Sequence, residues 1–233
     1  MGLVEFEIRD NKILHIFLNH PQTGNALSLE MAELIQERLL KGDFQSFLLS
    51  HRQGPFCAGG NLRFYQSLVK KDQGLKVNKR ISQILEQIAK WPVPKACFID
   101  GLCLGGGLEL ASCFDYIVGS PRAFLGLWQR RIGLTFGWGG EPRLLSRMSA
   151  HALRSWRLSA KTLTVYEAQD LGLIDQVSVS TNGIEDAQRW VQKTLSWGIA
   201  TLPGHLDSHH DALSFFPELW MGPTHQQALK GFQ

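Results

Sequence analysis

One stretch of the chain, residues 100–111, decides the fold, and it reads DGLCLGGGLELA. The mostly apolar run 94–99 before it is typical of a buried strand, and the spacing of Leu108, Leu110 and Ala111 after it indicates the packed side of a helix. Three glycines between strand and helix leave the backbone open to the close approach of another molecule. The first turn of a helix offers unpaired N–H groups that suit developing negative charge. Glu109 adds a carboxylate able to move a proton, although the same pattern also fits a tight turn with a solvated glutamate.

A second glycine-bearing loop, residues 54–62, reads GPFCAGGNL and follows the apolar run 47–49. The two loops together resemble those of the crotonase (enoyl-CoA hydratase/isomerase) superfamily, and the resemblance runs from about residue 3 to residue 178. It implies an α/β fold, a crotonase-like spiral of ββα turns with a C-terminal helical trimerisation region. The corresponding domains are a spiral core with the acyl-CoA site at 1–182 and a helical region at 183–233.

The resemblance also implies the site residues. Two backbone N–H groups, those of Ala58 and Gly106, hold the thioester oxygen as it becomes an enolate, and small residues there keep Cβ atoms out of its way. Glu109 is the catalytic carboxylate, and Gln129 stands at the second catalytic position. The remaining substrate-binding positions are Asn25, Ala26, Cys57, Gly59, Gly60, Asn61, Arg63, Gly105, Gly107, Trp128 and Phe136. Arg63 is equally compatible with a solvated helix charge.

Gln129 is the main departure from the family pattern, because hydratases and many isomerases carry a second glutamate there. An amide has no proton to exchange, and losing one positioned acid or base costs about 10²–10⁴-fold in rate. We therefore expect an enzyme of hydratase/isomerase type with one retained glutamate. Residues 136–140, FGWGG, also resemble the methylmalonyl/ethylmalonyl-CoA decarboxylase branch, in which one acid suffices. Arg130 and Arg131 would attract a substrate carboxylate there, or are ordinary surface charges.

The alternative of another class is a non-catalytic CoA-ester-binding or scaffold protein. The composition does not favour a nucleic-acid partner, since the net charge of the 233 residues is only +3. The four cysteines show no C-x-x-C spacing, and His205, His209 and His210 lack clustered carboxylates, so we expect no metal site. No apolar run reaches membrane-spanning length, and no signal peptide is recognised at the N-terminus. These features predict a cytoplasmic protein whose partner is an acyl-CoA thioester, with no cofactor beyond the coenzyme A of the substrate.

Periodicity predicts the remaining elements. The predicted strands are 4–9, 13–18, 47–49, 94–99, 115–119 and 123–126, and the predicted helices are 28–41, 74–90, 143–145, 151–158, 165–171, 184–199, 206–216 and 225–232. The C-terminal helices carry more large apolar surface than a free appendage should expose. The residues concerned are Trp190, Leu195, Trp197, Phe215, Phe216 and Trp220. We therefore expect a homotrimer or a hexamer built as a dimer of trimers.

Overall fold

A computed structural model of the chain describes residues 2–9, 12–68, 70–179 and 183–196, together with 220, 222, 226, 229 and 230. The strands are β1 (Val4–Arg9), β2 (Ile13–Leu18), β3 (Ser46–His51), β4 (Lys95–Ile99), β5 (Leu102–Leu104), β6 (Tyr116–Gly119), β7 (Phe124–Gly126), β8 (Thr162–Thr164) and β9 (Gln176–Val177). The helices are α1 (Leu29–Leu40), α2 (Leu62–Gln66), α3 (Lys71–Ala89), α4 (Gly106–Ala111), α5 (Gly140–Leu145), α6 (Ala150–Ser159), α7 (Val165–Asp170) and α8 (Ile184–Ser196). Pro21–Thr23 and Trp128–Ile132 are 3₁₀ helices.

The strands form two sheets, and successive turns of the chain contribute to both. The larger sheet has the order β1-β2-β3-β4-β6-β9, parallel except for β1 against β2. The smaller sheet has the order β5-β7-β8. The chain passes from β4 to β5 and then α4, and from β6 to β7 and then a 3₁₀ helix. Isolated parallel bridges, Cys57 with Cys103 and Leu27 with Gly60, continue this pattern in the earlier turns. The chain is therefore a spiral of strand–strand–helix turns.

Apolar stripes place the helices on the larger sheet. The Ser28 side chain accepts a hydrogen bond from Met31 N at 3.2 Å, which caps α1 where the sequence predicts its start. α3 buries Ile81, Ile84, Leu85 and Ile88 against α1 and the core. It begins three residues before the predicted start, because Gly74 lies inside the helix at a cost of only about 1 kcal/mol.

The C-terminal part is described as far as α8. Ala187 and Val191 of this helix pack on Ile13, Leu48 and Val118 of the larger sheet. Residues 197–199 and the predicted helix 206–216 lie outside the described residues, as does most of 225–232. The boundary between 182 and 183 and the trimerisation role of the C-terminal region stay predictions.

His15 on β2 is a fully buried titratable side chain, and neither ring nitrogen has a hydrogen-bond partner among the residues described. Burial lowers the pKa of His15 to about 4, with Arg9 and Arg52 lowering it further and Glu7 raising it. The unfolded chain, with a histidine pKa of about 6.5, binds the proton more readily than the folded chain. Folding stability is therefore retained above about pH 6.5 and falls as the pH drops towards 4.

Between pH 7 and pH 5 the free energy of unfolding should fall in wild type. We expect this fall to be about 1–2 kcal/mol larger than the fall in His15→Leu. Leucine leaves no unpaired polar group in the apolar site. Urea unfolding at the two pH values measures the difference. The exposed His151 gives the control His151→Gln, which should keep the wild-type pH dependence. Equal pH dependence in wild type and His15→Leu would show that His15 does not titrate in this way.

Candidate active site

The two glycine loops lie side by side. Cys57 N donates to Leu102 O at 3.1 Å, and Leu104 N donates to Cys57 O at 2.9 Å. The contact is so close that a methyl group on Gly107 would lie 2.6 Å from Cys57 O, and one on Gly59 would lie 3.1 Å from Leu104 O. Glycine is required at both positions, which explains why the loops are built from it.

Gly106 begins α4 at the edge of this junction. Gly105 precedes it with a φ of 52°, which turns the chain from β5 into the helix. The N–H of Gly105 donates to Gly126 O at 2.8 Å. Gly106 is the first residue of α4, so its N–H has no acceptor within the helix. The sequence did not predict β5 itself, because three strand residues inside a glycine motif carry no usable periodicity.

The first loop presents a different amide from the one expected. Ala58 N donates to Gly24 O at 2.9 Å, so the expectation that this N–H is free to bind a thioester oxygen is wrong for this structure. In the bridge to Leu27, Leu27 N donates to Gly59 O at 2.7 Å. The pattern of a parallel bridge turns the N–H of Gly60 to the side opposite Leu27. The N–H of Gly60, unlike that of Ala58, is therefore not used within this part of the first loop.

Glu109 lies one turn into α4 and is only 2% exposed, so it is not the solvated glutamate of a tight turn. Its Oε2 accepts hydrogen bonds from Trp138 N and Gly140 N, both at 2.9 Å, and its Oε1 accepts one from Gly137 N at 3.2 Å. A methyl group on Gly140 would lie 2.6 Å from Glu109 Cγ. The carboxylate thus fixes the loop 137–140 against the start of α4.

Gln129 lies beside Glu109. Its Nε2 donates to Glu109 Oε1 at 3.4 Å. Its amide carbon also faces the second loop, since a methyl group on Gly105 would lie 3.7 Å from Cδ. The structure therefore brings together the two residues assigned to catalysis, one carboxylate and one amide.

Trp138 is a site residue that the sequence analysis missed. Trp138 is 4% exposed, and its indole contacts both loops. A methyl group added to Gly106 would lie 2.1 Å from the indole Cζ3, and one added to Gly60 would lie 3.3 Å from Cζ2. Trp138 Nε1 donates to Asn78 Oδ1 at 2.9 Å, and Tyr65 OH donates to the same oxygen at 2.7 Å. The only sequence signal was the aromatic-rich run 136–140, and no periodicity tells where a loop side chain points.

Arg143 on α5 is a second residue that the sequence analysis missed. Its Nη2 donates to the backbone oxygens of Glu109 and Trp138, both at 3.3 Å, and its Nε donates to Ser112 Oγ at 3.1 Å. Arg143 links the end of α4 to the loop that carries Trp138, and so stabilises the position of that loop.

Three of the predicted binding side chains hold the loops instead. Asn25 is fully buried, with its Nδ2 donating to Gln53 O and Pro55 O at 2.8 and 2.7 Å. Asn61 caps α2 by accepting from Phe64 N at 3.2 Å. Cys57 is fully buried, and this burial raises the pKa of its thiol to about 11. Their side chains are therefore engaged within the protein, and contact of these positions with substrate stays a prediction.

The other predicted positions are divided between the core and the surface. Ala26 is buried, whereas Arg63 on α2 is exposed and remains available to a ligand. Trp128 packs towards β8, since its Nε1 donates to Thr162 Oγ1 at 3.1 Å and the Arg131 guanidinium lies 4.1 Å from its ring centroid. Phe136 is partly buried against the core. The structure does not bring Trp128 to the space between the two loops.

Among the residues that the structure describes, no three His, Cys, Asp or Glu side chains cluster in a way that could hold a metal ion. None of the helices described there has the length and apolar character needed to cross a membrane.

Comparison with known families explains this arrangement. Residues 8–212 match the family model described as enoyl-CoA hydratase/isomerase. The chain belongs to this family. A human relative, the mitochondrial enoyl-CoA hydratase domain-containing protein 2, is 33% identical over 183 residues, which are 76% of this chain and 62% of that protein. The chain thus spans less than two thirds of that relative.

A second relative has another activity in its name. Ethylmalonyl-CoA decarboxylase of Mus musculus is 23% identical over an alignment of 247 positions, covering 98% of this chain and 77% of that protein. Among solved structures, the enoyl-CoA hydratase of Bacillus anthracis superposes with a TM-score of 0.89 at 22% identity, covering 100% of this chain and 97% of that one. This likeness confirms the crotonase-like α/β spiral predicted from the loops.

Proposed function

We propose that this member of the enoyl-CoA hydratase/isomerase family acts on acyl-CoA thioesters and stabilises a thioester enolate between the N–H groups of Gly60 and Gly106. The proposal rests on one observation, the junction of the two glycine loops with Glu109 one turn beyond it. Preorganised backbone donors suit this task because they need no rearrangement as the negative charge develops. Each donor of this kind contributes about 2.7–4 kcal/mol in acyl-transfer enzymes.

Glu109 is the group we assign to proton transfer at the acyl carbon next to the carbonyl. Gln129 donates to it and can only orient a carboxylate or a water molecule. A double-bond shift needs one group that carries a proton between two carbons, whereas hydration by the usual route divides the work between two acids. A single retained carboxylate therefore favours the shift, and hydration through a water held by Gln129 is the second reaction of the same type.

Decarboxylation of a malonyl-type thioester is the other candidate reaction. The bond to the carboxylate breaks, carbon dioxide leaves, and the electron pair forms the enolate that the two amides stabilise, so a single acid completes the reaction. Gln129 in place of a second acid and the aromatic loop 136–140 support it. Arg131 is engaged by Ala160 O, at 2.6 and 3.0 Å, which leaves the exposed Arg130 as the arginine of this pair able to attract the carboxylate.

We also propose that coenzyme A enters only as part of the substrate and that the protein is a cytoplasmic homotrimer or dimer of trimers. The exposure of Trp220, 58%, supports assembly, whereas Trp190 and Leu195 pack against the larger sheet and do not supply the exposed surface expected of them. Light scattering at micromolar concentration measures the assembly, and a monomer would contradict it. We expect no nucleic-acid partner.

The test of the function is a panel of crotonyl-CoA, a 3-enoyl-CoA and ethylmalonyl-CoA with the purified protein. We expect turnover of an enoyl-CoA, measured by detecting the product. The control is Gly106→Ala, whose methyl group would displace the Trp138 indole, so it should lower the rate by about tenfold or more. Turnover of ethylmalonyl-CoA alone would select the decarboxylase. No turnover, together with thermal stabilisation by acetyl-CoA beyond that by free CoA, would select the non-catalytic alternative.

A further inference from the structure

The space next to the two proposed donors is already partly filled by a side chain of the protein. The Trp138 indole touches Gly106 and Gly60 on their Cα sides, where a methyl group on either residue would lie 2.1 and 3.3 Å from the ring. An enolate oxygen held by both amides would lie about 2.9 Å from each nitrogen. The first carbons of the acyl group must then lie within a few bond lengths of the same two glycines and so against the indole.

We propose that Trp138 is the residue that determines acyl specificity, limiting the substrate to acyl groups of a few carbons. This inference rests on the proposed function, since it takes the two glycine loops as the thioester site. The chemical class of the substrate is thereby narrowed from CoA thioesters in general to those with short acyl groups. Longer chains would have to occupy the volume that the indole fills.

The contacts of Trp138 hold its side chain in one position. Its indole nitrogen is held by Asn78, its backbone N–H by Glu109 and its backbone oxygen by Arg143. The Asn78 oxygen is fixed in turn by Tyr65. Moving the ring out of its 4% exposed position would break its hydrogen bond to Asn78 and expose a large apolar surface. A ligand therefore meets the indole in place.

Wild type, Trp138→Ala and Trp138→Phe are compared by calorimetric titration with acetyl-CoA, butyryl-CoA, octanoyl-CoA and free CoA. The matched control is Trp190→Ala, which removes a half-buried indole stacked on Tyr116 at 4.8 Å, on the side of the larger sheet that packs with α8. Thermal unfolding checks that each variant is folded. Should Trp138→Ala fail to fold, Trp138→Phe, which keeps an aromatic ring of smaller size, decides the question.

We expect wild type and Trp190→Ala to bind acetyl-CoA at least about tenfold more tightly than octanoyl-CoA, since misfit in an apolar pocket is worth about 10–200-fold. In Trp138→Ala the preference for acetyl-CoA over octanoyl-CoA should fall by tenfold or more, and Trp138→Phe should shift this preference in the same direction. Free CoA should bind to all variants with the same affinity. An unchanged ratio in both Trp138 variants would overturn the inference and leave the proposed function standing. If no thioester binds wild type or any variant more tightly than free CoA, the proposed function fails and the inference fails with it.

Discussion

Replacing Glu109 by glutamine is expected to lower kcat by roughly 10²–10⁴-fold on whichever CoA thioester the enzyme turns over. The amide keeps the shape of the side chain but has no proton to exchange. It also turns an NH₂ group towards backbone donors that the carboxylate accepts from, those of Gly137, Trp138 and Gly140. A lower melting temperature should therefore accompany the loss of rate, and kcat must be measured on the folded fraction.

Two variants separate the proton-transfer role from the structural one. Gln129→Ala removes the neighbouring amide and should cost much less than Glu109→Gln, because Gln129 only orients. Gln129→Glu adds a second acid beside Glu109 and should raise the hydration of crotonyl-CoA. Near-full activity in Glu109→Gln together with loss of activity in Gln129→Ala would show that the single-acid mechanism is wrong.

Asp115→Ala is expected to lower the free energy of unfolding by about 3–5 kcal/mol, since it leaves the buried Lys95 ammonium without an opposite charge and with Trp91 O, at 3.3 Å, as its remaining acceptor. Lys95 at the start of β4 is fully buried, and its Nζ donates to Asp115 Oδ1 at 3.0 Å. The second carboxylate oxygen accepts from Lys95 N, also at 3.0 Å. Burial raises the pKa of Asp115 although Lys95 lowers it, and because 25% of the Asp115 side chain is exposed, Lys95 is the more strongly desolvated partner.

Urea unfolding at pH 7 measures this effect, with Lys161→Ala as the control. The ion pair of Lys161 with Glu167 is about half exposed, at 57% and 47%, and pairs of this kind contribute about 0–1 kcal/mol. The loss of free energy of unfolding in Asp115→Asn should fall between those of Asp115→Ala and Lys161→Ala, because an amide keeps a hydrogen-bond acceptor without the charge. A change below about 1 kcal/mol in Asp115→Ala would mean that the Lys95 ammonium finds another partner or solvent.

Much of the fold was predictable because local patterns decide it. The strands before and after residues 100–111, the helix capped by Ser28 and the apolar stripe of α3 all follow from spacing within one segment. The sequence did not predict the short strand β5, in which only three residues pair and their partners come from β7. Short strands of this kind depend on neighbours and not on their own periodicity.

The candidate site was predictable in its parts and not in its details. Glycine loops, Glu109 and the amide at Gln129 were found from residue type and order, and the structure brings them together. The sequence assigned the positions Asn25 and Cys57 to substrate binding, and the structure adds that their side chains hydrogen-bond within the protein around the first loop. A motif names the residues of a loop, whereas the direction of each side chain is decided by what packs against it.

By itself the sequence determined that two glycine loops exist, that one follows a buried strand and opens a helix, and that a carboxylate stands one turn beyond. These properties are local, because glycine content, apolar spacing and position in the chain act within a few residues. Only the tertiary structure decided that Gly24 O accepts the N–H of Ala58, that Gly60 pairs with Leu27, and that Trp138 fills the space beside Gly106. Each of these depends on a hydrogen bond or a van der Waals contact between segments far apart in sequence, which form only when the spiral closes.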